Sequence, residues 1–456
     1  MKFETIVNLS GKVYSLLEKI NLQEKFDLDY LLDNNCPEFA SRLQTYSKLG
    51  KIAICATNGK SFTLNFLNQI LEKNNNSYFT NVFENSKKYP ILTSIMLELN
   101  RKKHFDLAYD KVDYYTASLD EYELSSYFNI MKFDYLLLGN LFQDQNDFGN
   151  LEVKRKKIQE ALVLNSKLDL IINADEPYFF KIDDIKNDAI MNKKRSKFFY
   201  GFEEIEYSGI TRNIVQKNDL AKCPICACSL DYKKRFYSHL GDYDCACGFK
   251  RPKLDLSAKA KIFPNYSFLE VFYEDNKYVF KLPFGGISNA YNVLGAIALA
   301  FRLGINRKTI TKAIEDFNFL RARDEIVKYK GKNIKVKIIK NPTSLSCALE
   351  ELYGAKNVKV VFALNDDLKD GEDTSWIWGA NFEAVRGFEN KVYVCSNRFD
   401  DMALRLKYSG INPCLIVMDS SVKRAINCCY YELEENETML ILASPSLEDE
   451  VYSSIG

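Results

Sequence analysis

The 456 residues suffice for roughly two to four domains at about 100–200 residues each, and a hydrophobic content of 46% supplies real cores. A formal net charge of +1 removes the global basic field that argues for nucleic acid, so no nucleic-acid partner is expected. No run of about 18 apolar residues is present to cross a membrane, and the amphipathic N-terminus does not read as a secretion signal, so a cytoplasmic protein is expected.

In chain order, residues 1–48 read as a helical segment, with Leu, Tyr and Phe at helical spacing and a break at Asn34-Asn35-Cys36-Pro37. From 51 onward, short apolar runs alternate with amphipathic stretches. KIAICAT (51–57), FDYLLLGN (133–140) and LDLIINAD (168–175) read as buried parallel strands. Ligands of such an α/β sheet sit at the strands' C-terminal ends. The first run leads into Thr57-Asn58-Gly59-Lys60-Ser61 and then a helix-like pattern. A strand that turns through Gly-Lys-Ser into a helix points backbone N–H groups at a phosphate. The lysine adds a point charge and the hydroxyl can ligate Mg²⁺. The full phosphate-loop pattern wants another glycine five residues before Gly59, where Ile54 stands. A plain Asn-Gly turn accounts for Asn58-Gly59 as well.

The stretch 203–283 breaks this rhythm. Cys223-Pro-Ile-Cys226 is followed, after 18 residues, by Cys245-Ala-Cys247-Gly248. Two close thiolate pairs across a hairpin-length insert supply four soft ligands for a tetrahedral Zn²⁺. Closed by four thiolates, such a zinc is structural; the alternative is buried free cysteines, and Cys228 is a fifth thiol nearby. The remaining cysteines of the twelve are scattered, which argues against a disulfide framework. YSFLEVFYED and KYVFKLPF then read as strands, and SNAYNVLGAIALAFRLGI (288–305) as a helix capped at Ser288-Asn289. Past Arg323 a second α/β pattern starts: KVKIIKNP, KVVFALND, KVYVCSN, CLIVMD and TMLILAS are its strands.

Several motifs fall in one order: ATNGKS (56–61), LGNLFQDQNDFGN (138–150), LIINADEP, the CPIC…CACGF ribbon, NAYN (289–292), Arg323 in RARDE, and NDDLKDGEDTSWIWGANFE (365–383). Together they resemble the MurT family, the ligase subunits of lipid II isoglutaminyl synthases within the Mur ligase superfamily. The resemblance implies an α/β fold: an N-terminal segment at 1–48, a Mur-ligase central ATP-binding domain at 49–322 with a zinc ribbon at about 218–252, and a Rossmann-like C-terminal domain at 323–456. It implies ATP-dependent amidation of the D-glutamate α-carboxyl of the lipid II stem peptide, at the inner face of the membrane. Ammonia would come from a separate GatD-type glutaminase. The chain has only two histidines, His104 and His239, and neither lies near a G-x-C-x-G nucleophile turn, which fits a split system.

By the same resemblance, Asp373 completes the partner's Cys–His pair across the interface, although an aspartate there also suits a helix cap. Thr57, Asn58, Gly59, Lys60, Ser61, Asp175, Asn289, Asn292 and Arg323 are the expected ATP contacts. Asn289 and Asp175 could equally be caps, and Arg323 a linker charge. Asn289 and Asn292 stand one helical turn apart and can face one ligand. Trp376 and Trp378, the only tryptophans, suit a packed structural role. The chain also departs from the family. Ala56 replaces a loop glycine, Ser118 a Mg²⁺-binding glutamate and Gln143 an arginine; FENSKKYP and Asn341-Pro342-Thr343-Ser344 replace two further motifs. Ser61 with Asp120 or Glu121 is then the candidate Mg²⁺ set. Two functions follow: an active amidoligase subunit, or a paralogue of weak or lost ATPase activity that binds or regulates a glutaminase.

Overall fold

The computed structural model describes residues 44–80, 111–142, 151–179, 181–183, 195–207, 222–263, 266–317, 326–329, 331–350, 352, 357–367, 370, 373–435 and 437–455. Most of the expected N-terminal helical segment, His104, Gln143, Arg323 and FENSKKYP lie outside these residues.

Among the described residues the central sheet has nine strands. They are β1 (Ser47–Cys55), β2 (Tyr78–Thr80), β3 (Val112–Leu119), β4 (Tyr135–Leu138), β5 (Asp169–Asn173), β6 (Lys197–Tyr207), β9 (Leu256–Ile262), β10 (Ser267–Tyr273) and β11 (Asn276–Leu282), in the order β11-β10-β9-β6-β5-β4-β1-β3-β2. From β2 to β9 all neighbours are parallel; β9, β10 and β11 pair antiparallel. The two runs expected to interrupt the α/β rhythm therefore extend the same sheet at its edge. The first strand begins at Ser47, inside the stretch read as helical. Its alternate residues feed two cores: Ile52 and Ile54 one, Ala53 and Cys55 the other. Side chains on a strand alternate faces, so a sheet covered on both sides needs a continuous apolar run.

The helices are α1 (Lys60–Lys73), α2 (Glu123–Ile130), α3 (Leu151–Leu164), α4 (Ile287–Arg302) and α5 (Arg307–Glu315). Helix α4 starts earlier than the sequence suggested, with Gly286 and not Ser288 as its N-cap. It also stops short of 305. Gly304 takes φ +76°, its N–H donates to the Phe301 carbonyl, and the Ile305 N–H donates to the Ala300 carbonyl. That paired geometry is a Schellman stop, which glycine adopts without the Cβ penalty.

The second sheet carries β12 (Ile326–Tyr329), β13 (Lys332–Ile338), β14 (Val358–Ala363), β15 (Val392–Cys395), β16 (Ile416–Asp419) and β17 (Thr438–Ala443), in the order β12-β13-β17-β14-β15-β16. All pairs but β12–β13 are parallel. Around it lie α6 (Pro342–Glu350), α7 (Phe399–Tyr408), α8 (Val422–Tyr431) and α9 (Glu448–Ser454). Val360 and Phe362 face one of its cores, Val361 and Ala363 the other. The hairpin β7 (Asp231–Tyr237) with β8 (Leu240–Asp244) forms a small separate sheet in the cysteine insert.

Candidate nucleotide loop and zinc ribbon

The loop after β1 is pinned from the neighbouring strand. The Thr57 N–H donates to the Asn140 carbonyl at 3.0 Å. The Asn140 side chain accepts from the Asn58 N–H at 3.0 Å and donates to the Asn58 carbonyl at 2.9 Å. Gly59 then takes φ +80° as the N-cap of α1, a conformation in which an L side chain is strained. The Asn292 amide stands where a Gly59 Cβ would be, so a side chain there would also have to displace that amide. Lys60 and the largely buried Ser61 open the helix, where the first-turn N–H groups have no intrahelical acceptor. The geometry is that of an anion cradle with a lysine beside it.

Ala56 does not strain this loop. It is buried and is not among the non-glycine residues of positive φ. The space its methyl occupies is matched across the sheet by Gly139, whose own Cβ would meet the Ala56 methyl at 3.1 Å. The missing loop glycine is thus compatible with the backbone the chain adopts.

Asn292 comes up against the loop, whereas the Asn289 side chain donates to the Gly285 carbonyl at 2.9 Å, one turn back. Asn58 also reaches the C-terminal domain: its side chain and that of Asn341 exchange contacts at 3.2 and 3.4 Å. Of the candidate Mg²⁺ acids, Asp120 lies just ahead of α2 and accepts from the Tyr122 and Glu123 N–H groups at 3.1 and 2.9 Å. Glu121 is buried, accepts from the Thr57 hydroxyl, and faces the buried Lys154 ammonium at 3.9 Å. Ser118 stands at the end of β3, paired in register with Ile54. No carboxylate cluster of three or more potential ligands lies near the loop among the described residues.

The four cysteines do converge. The Sγ atoms of Cys223, Cys226, Cys245 and Cys247 all lie within 4.8 Å of one another, with Cys223–Cys247 at 3.6 Å and Cys226–Cys245 at 3.5 Å. A tetrahedral site with Zn–S near 2.3 Å has S···S edges of about 3.8 Å, so the donor set and spacing fit zinc. Amides already face sulfur: the Ile225 N–H donates to Cys223 Sγ at 3.4 Å, and the Cys228 amide pulls the Cys226 thiol down to about 6. The Cys228 carbonyl accepts from the Cys223 N–H, and its thiol stands outside the four. Protein purified without added zinc is expected to carry one zinc per chain, and the Cys245→Ser/Cys247→Ser double variant to lose it. Elemental analysis that finds almost none in the parent, or full retention in the variant, contradicts the site.

Two adjacent acids hold this ribbon to the central domain. Asp175, fully buried, pairs with Arg251 just beyond the last cysteine at 2.9 Å and accepts from the Tyr291 hydroxyl and the Phe202 N–H, each at 2.9 Å. Burial pushes its carboxyl up to about 6, against the pull of Arg251 and these two donors. Asp175 was expected at the nucleotide; the structure instead spends its oxygens on the ribbon, β6 and α4. Next to it, the fully buried Glu176 meets His239 Nε2 at 2.8 Å. The sequence offered no signal for Asn140, Glu176, His239, Lys154 or Arg251, because each acts through partners far away in the chain.

In the C-terminal domain Asp373 is exposed. Its Oδ1 accepts from the Ser375 N–H and its Oδ2 from the Ser375 hydroxyl, both at 2.8 Å, capping the short 3-10 turn Thr374–Gly379. The Ser375 amide holds its carboxyl below the usual range. Trp376 packs partly into the core, but Trp378 is 45% exposed, under the Arg405 guanidinium at 5.2 Å and edge-on to Tyr408; it is not the packed residue the spacing suggested.

The fold is that of the Mur ligases. A pseudomurein peptide ligase type C from Methanothermus fervidus superposes with a TM-score of 0.65 at 19% identity, covering 90% of this chain and 79% of that one. The MurF ligase from Thermotoga maritima in complex with ADP gives 0.60 at 14% identity, covering 93% and 83%. Within that class the chain resembles MurT. The model of the MurT ligase C-terminal domain matches residues 338–446. The subunit MurT of the glutamine-hydrolyzing lipid II isoglutaminyl synthase of Staphylococcus aureus (strain COL) is 28% identical over 375 residues, 80% of this chain and 79% of that protein.

Proposed function

We propose that the chain is the ligase subunit of a glutamine-dependent amidotransferase acting on lipid II. The observation that carries this reading is the loop at Gly59-Lys60-Ser61, in a Mur ligase fold joined to a MurT-type C-terminal domain. The α-carboxylate of the stem-peptide D-glutamate attacks the γ-phosphorus of ATP, giving an acyl phosphate and ADP. Ammonia adds to the acyl carbon, the C–O bond to phosphate breaks, and the isoglutamine amide forms. Lys60 and the first-turn amides of α1 hold the phosphates, with Arg323 as a further phosphate contact. Asn292, with Asn289 beside it, faces the nucleotide. Mg²⁺ would come in on the phosphates with one or two protein ligands, and the Ser61 hydroxyl would be one of them. Glu121 stands beside Thr57. Lipid II is met from the cytoplasm; no helix among the described residues is long and apolar enough to cross a membrane. A glutaminase of the GatD type delivers the ammonia, and the solvent-facing Asp373 is its point of engagement.

A second reading, a glutaminase-binding paralogue without ATP turnover, is favoured by Ser118 and by the commitment of Glu121 to Thr57 and Lys154. Calorimetry with Mg-ATP separates the two. Wild type is expected to bind, Lys60→Ala to lose binding, Ala56→Gly to change little because position 56 needs no positive φ, and Ser118→Glu to tighten it. Binding by Ser118→Glu but none by wild type would establish the paralogue reading.

A further inference from the structure

The ribbon hairpin reaches the nucleotide loop through hydrogen bonds joined by the backbone link from Leu141 to Phe142. Its turn is sharp: Ser238 takes φ +51°, a cost for a residue with a side chain, and its carbonyl accepts from Arg235 Nε at 2.5 Å. That turn delivers His239 into the domain, 1% exposed, where its ring meets Phe142 edge-on at 5.3 Å and Tyr178 at 6.0 Å. His239 Nε2 lies 2.8 and 3.0 Å from the two oxygens of Glu176. Glu176 in turn accepts from the Leu141 N–H at 3.0 Å and the Tyr178 N–H at 3.2 Å. The next amide, Phe142 N–H, donates to the Thr57 hydroxyl at 3.1 Å, and Asn140 grips Asn58. Residues 140–142 are thus fixed by the ribbon on one side and fix the loop on the other. A fully buried ionisable pair is a poor device for stability alone. It is a good one for holding a strand end in one register with the loop.

We propose that His239 and Glu176 are positioning residues for the phosphate loop, through which the metal-held ribbon sets its affinity for nucleotide. The inference rests on the reading of Gly59-Lys60-Ser61 as the ATP site. It gives the ribbon a role that a closed four-thiolate centre cannot have through its own chemistry: His239 is carried by the hairpin whose ends the four cysteines tie together.

The test uses the zinc-loaded full chain with His239→Ala and His239→Gln. Three quantities are read: zinc content, amide hydrogen exchange over 56–62, and Mg-ATP affinity by calorimetry. His239→Ala is expected to keep its zinc, to exchange faster over 56–62 without nucleotide, and to bind Mg-ATP about tenfold more weakly, the scale of one charged hydrogen bond lost in part. His239→Gln, whose side-chain N–H can reach the place of Nε2, should restore most of both. Unchanged exchange and affinity in a zinc-loaded His239→Ala chain would overturn the proposal. So would equal defects in both variants accompanied by zinc loss, since His239 would then serve only to fold the ribbon. If wild type bound no nucleotide, the ATP reading would fail, while the exchange measurement would still decide whether the ribbon holds the loop.

Discussion

Replacing Asp373 by Asn is expected to cut glutamine hydrolysis by the reconstituted complex by orders of magnitude, about 10⁴-fold if it behaves as the like change does in a serine-protease triad. The carboxylate is solvent-facing and ionised, its two oxygens held in place by the Ser375 amide and hydroxyl. Such an acid can accept from a partner's imidazole N–H, set its tautomer and offset the charge formed as a thiol is activated. An amide of the same shape presents a donor where an acceptor is required. Amide formation from free ammonia should survive, because that step uses the nucleotide loop. Thermal stability measured alongside shows whether the lost cap of the 3-10 turn matters. Equal loss of both activities would place Asp373 in the fold or in the ligase site, and the trans role would be wrong.

The second large effect is expected at Arg251. Replacement by Met removes the positive partner of a fully buried carboxylate, and breaking a buried pair in this way costs about 3–5 kcal/mol. The cost must depend on pH. Burial already raises the folded-state Asp175 carboxyl to about 6, above its unfolded value. Its contribution is therefore complete below the unfolded value and is lost as pH rises through the folded one. Without Arg251 the folded value rises further, so the variant's deficit relative to wild type should be large at pH 8 and shrink toward pH 5. Urea denaturation of both proteins at the two pH values measures it. A deficit independent of pH would mean that Arg251 acts by packing on Phe236.

The features legible in the sequence were those written in short range. Continuous apolar runs marked β1, β4 and β5 because a sheet covered on both faces leaves no polar positions. The paired cysteines announced their site through spacing alone, and all four thiols meet. What the sequence could not carry was pairing between distant segments. Strand β6, eleven residues with Glu and Tyr interspersed, gave no clean period, yet it joins the parallel core to the antiparallel edge. Asp175 sits at a strand end, where ligands are usual, and only the approach of Arg251 and Tyr291 diverts it to structure. In the sequence His239 showed only that it lies far from any nucleophile turn. Its meaning depends on Glu176, 63 residues away. Ala56 looked like a lesion because a motif has no view of Gly139 across the sheet.

The most direct test of the ligase reading is amide formation by this chain alone, with lipid II, Mg-ATP and an ammonium salt in place of the glutaminase. Mass analysis of the stem peptide should show one carboxyl converted to an amide, with ADP released in step, and neither with Lys60→Ala. Nucleotide binding without any amide, even when the glutaminase is added, would contradict the account.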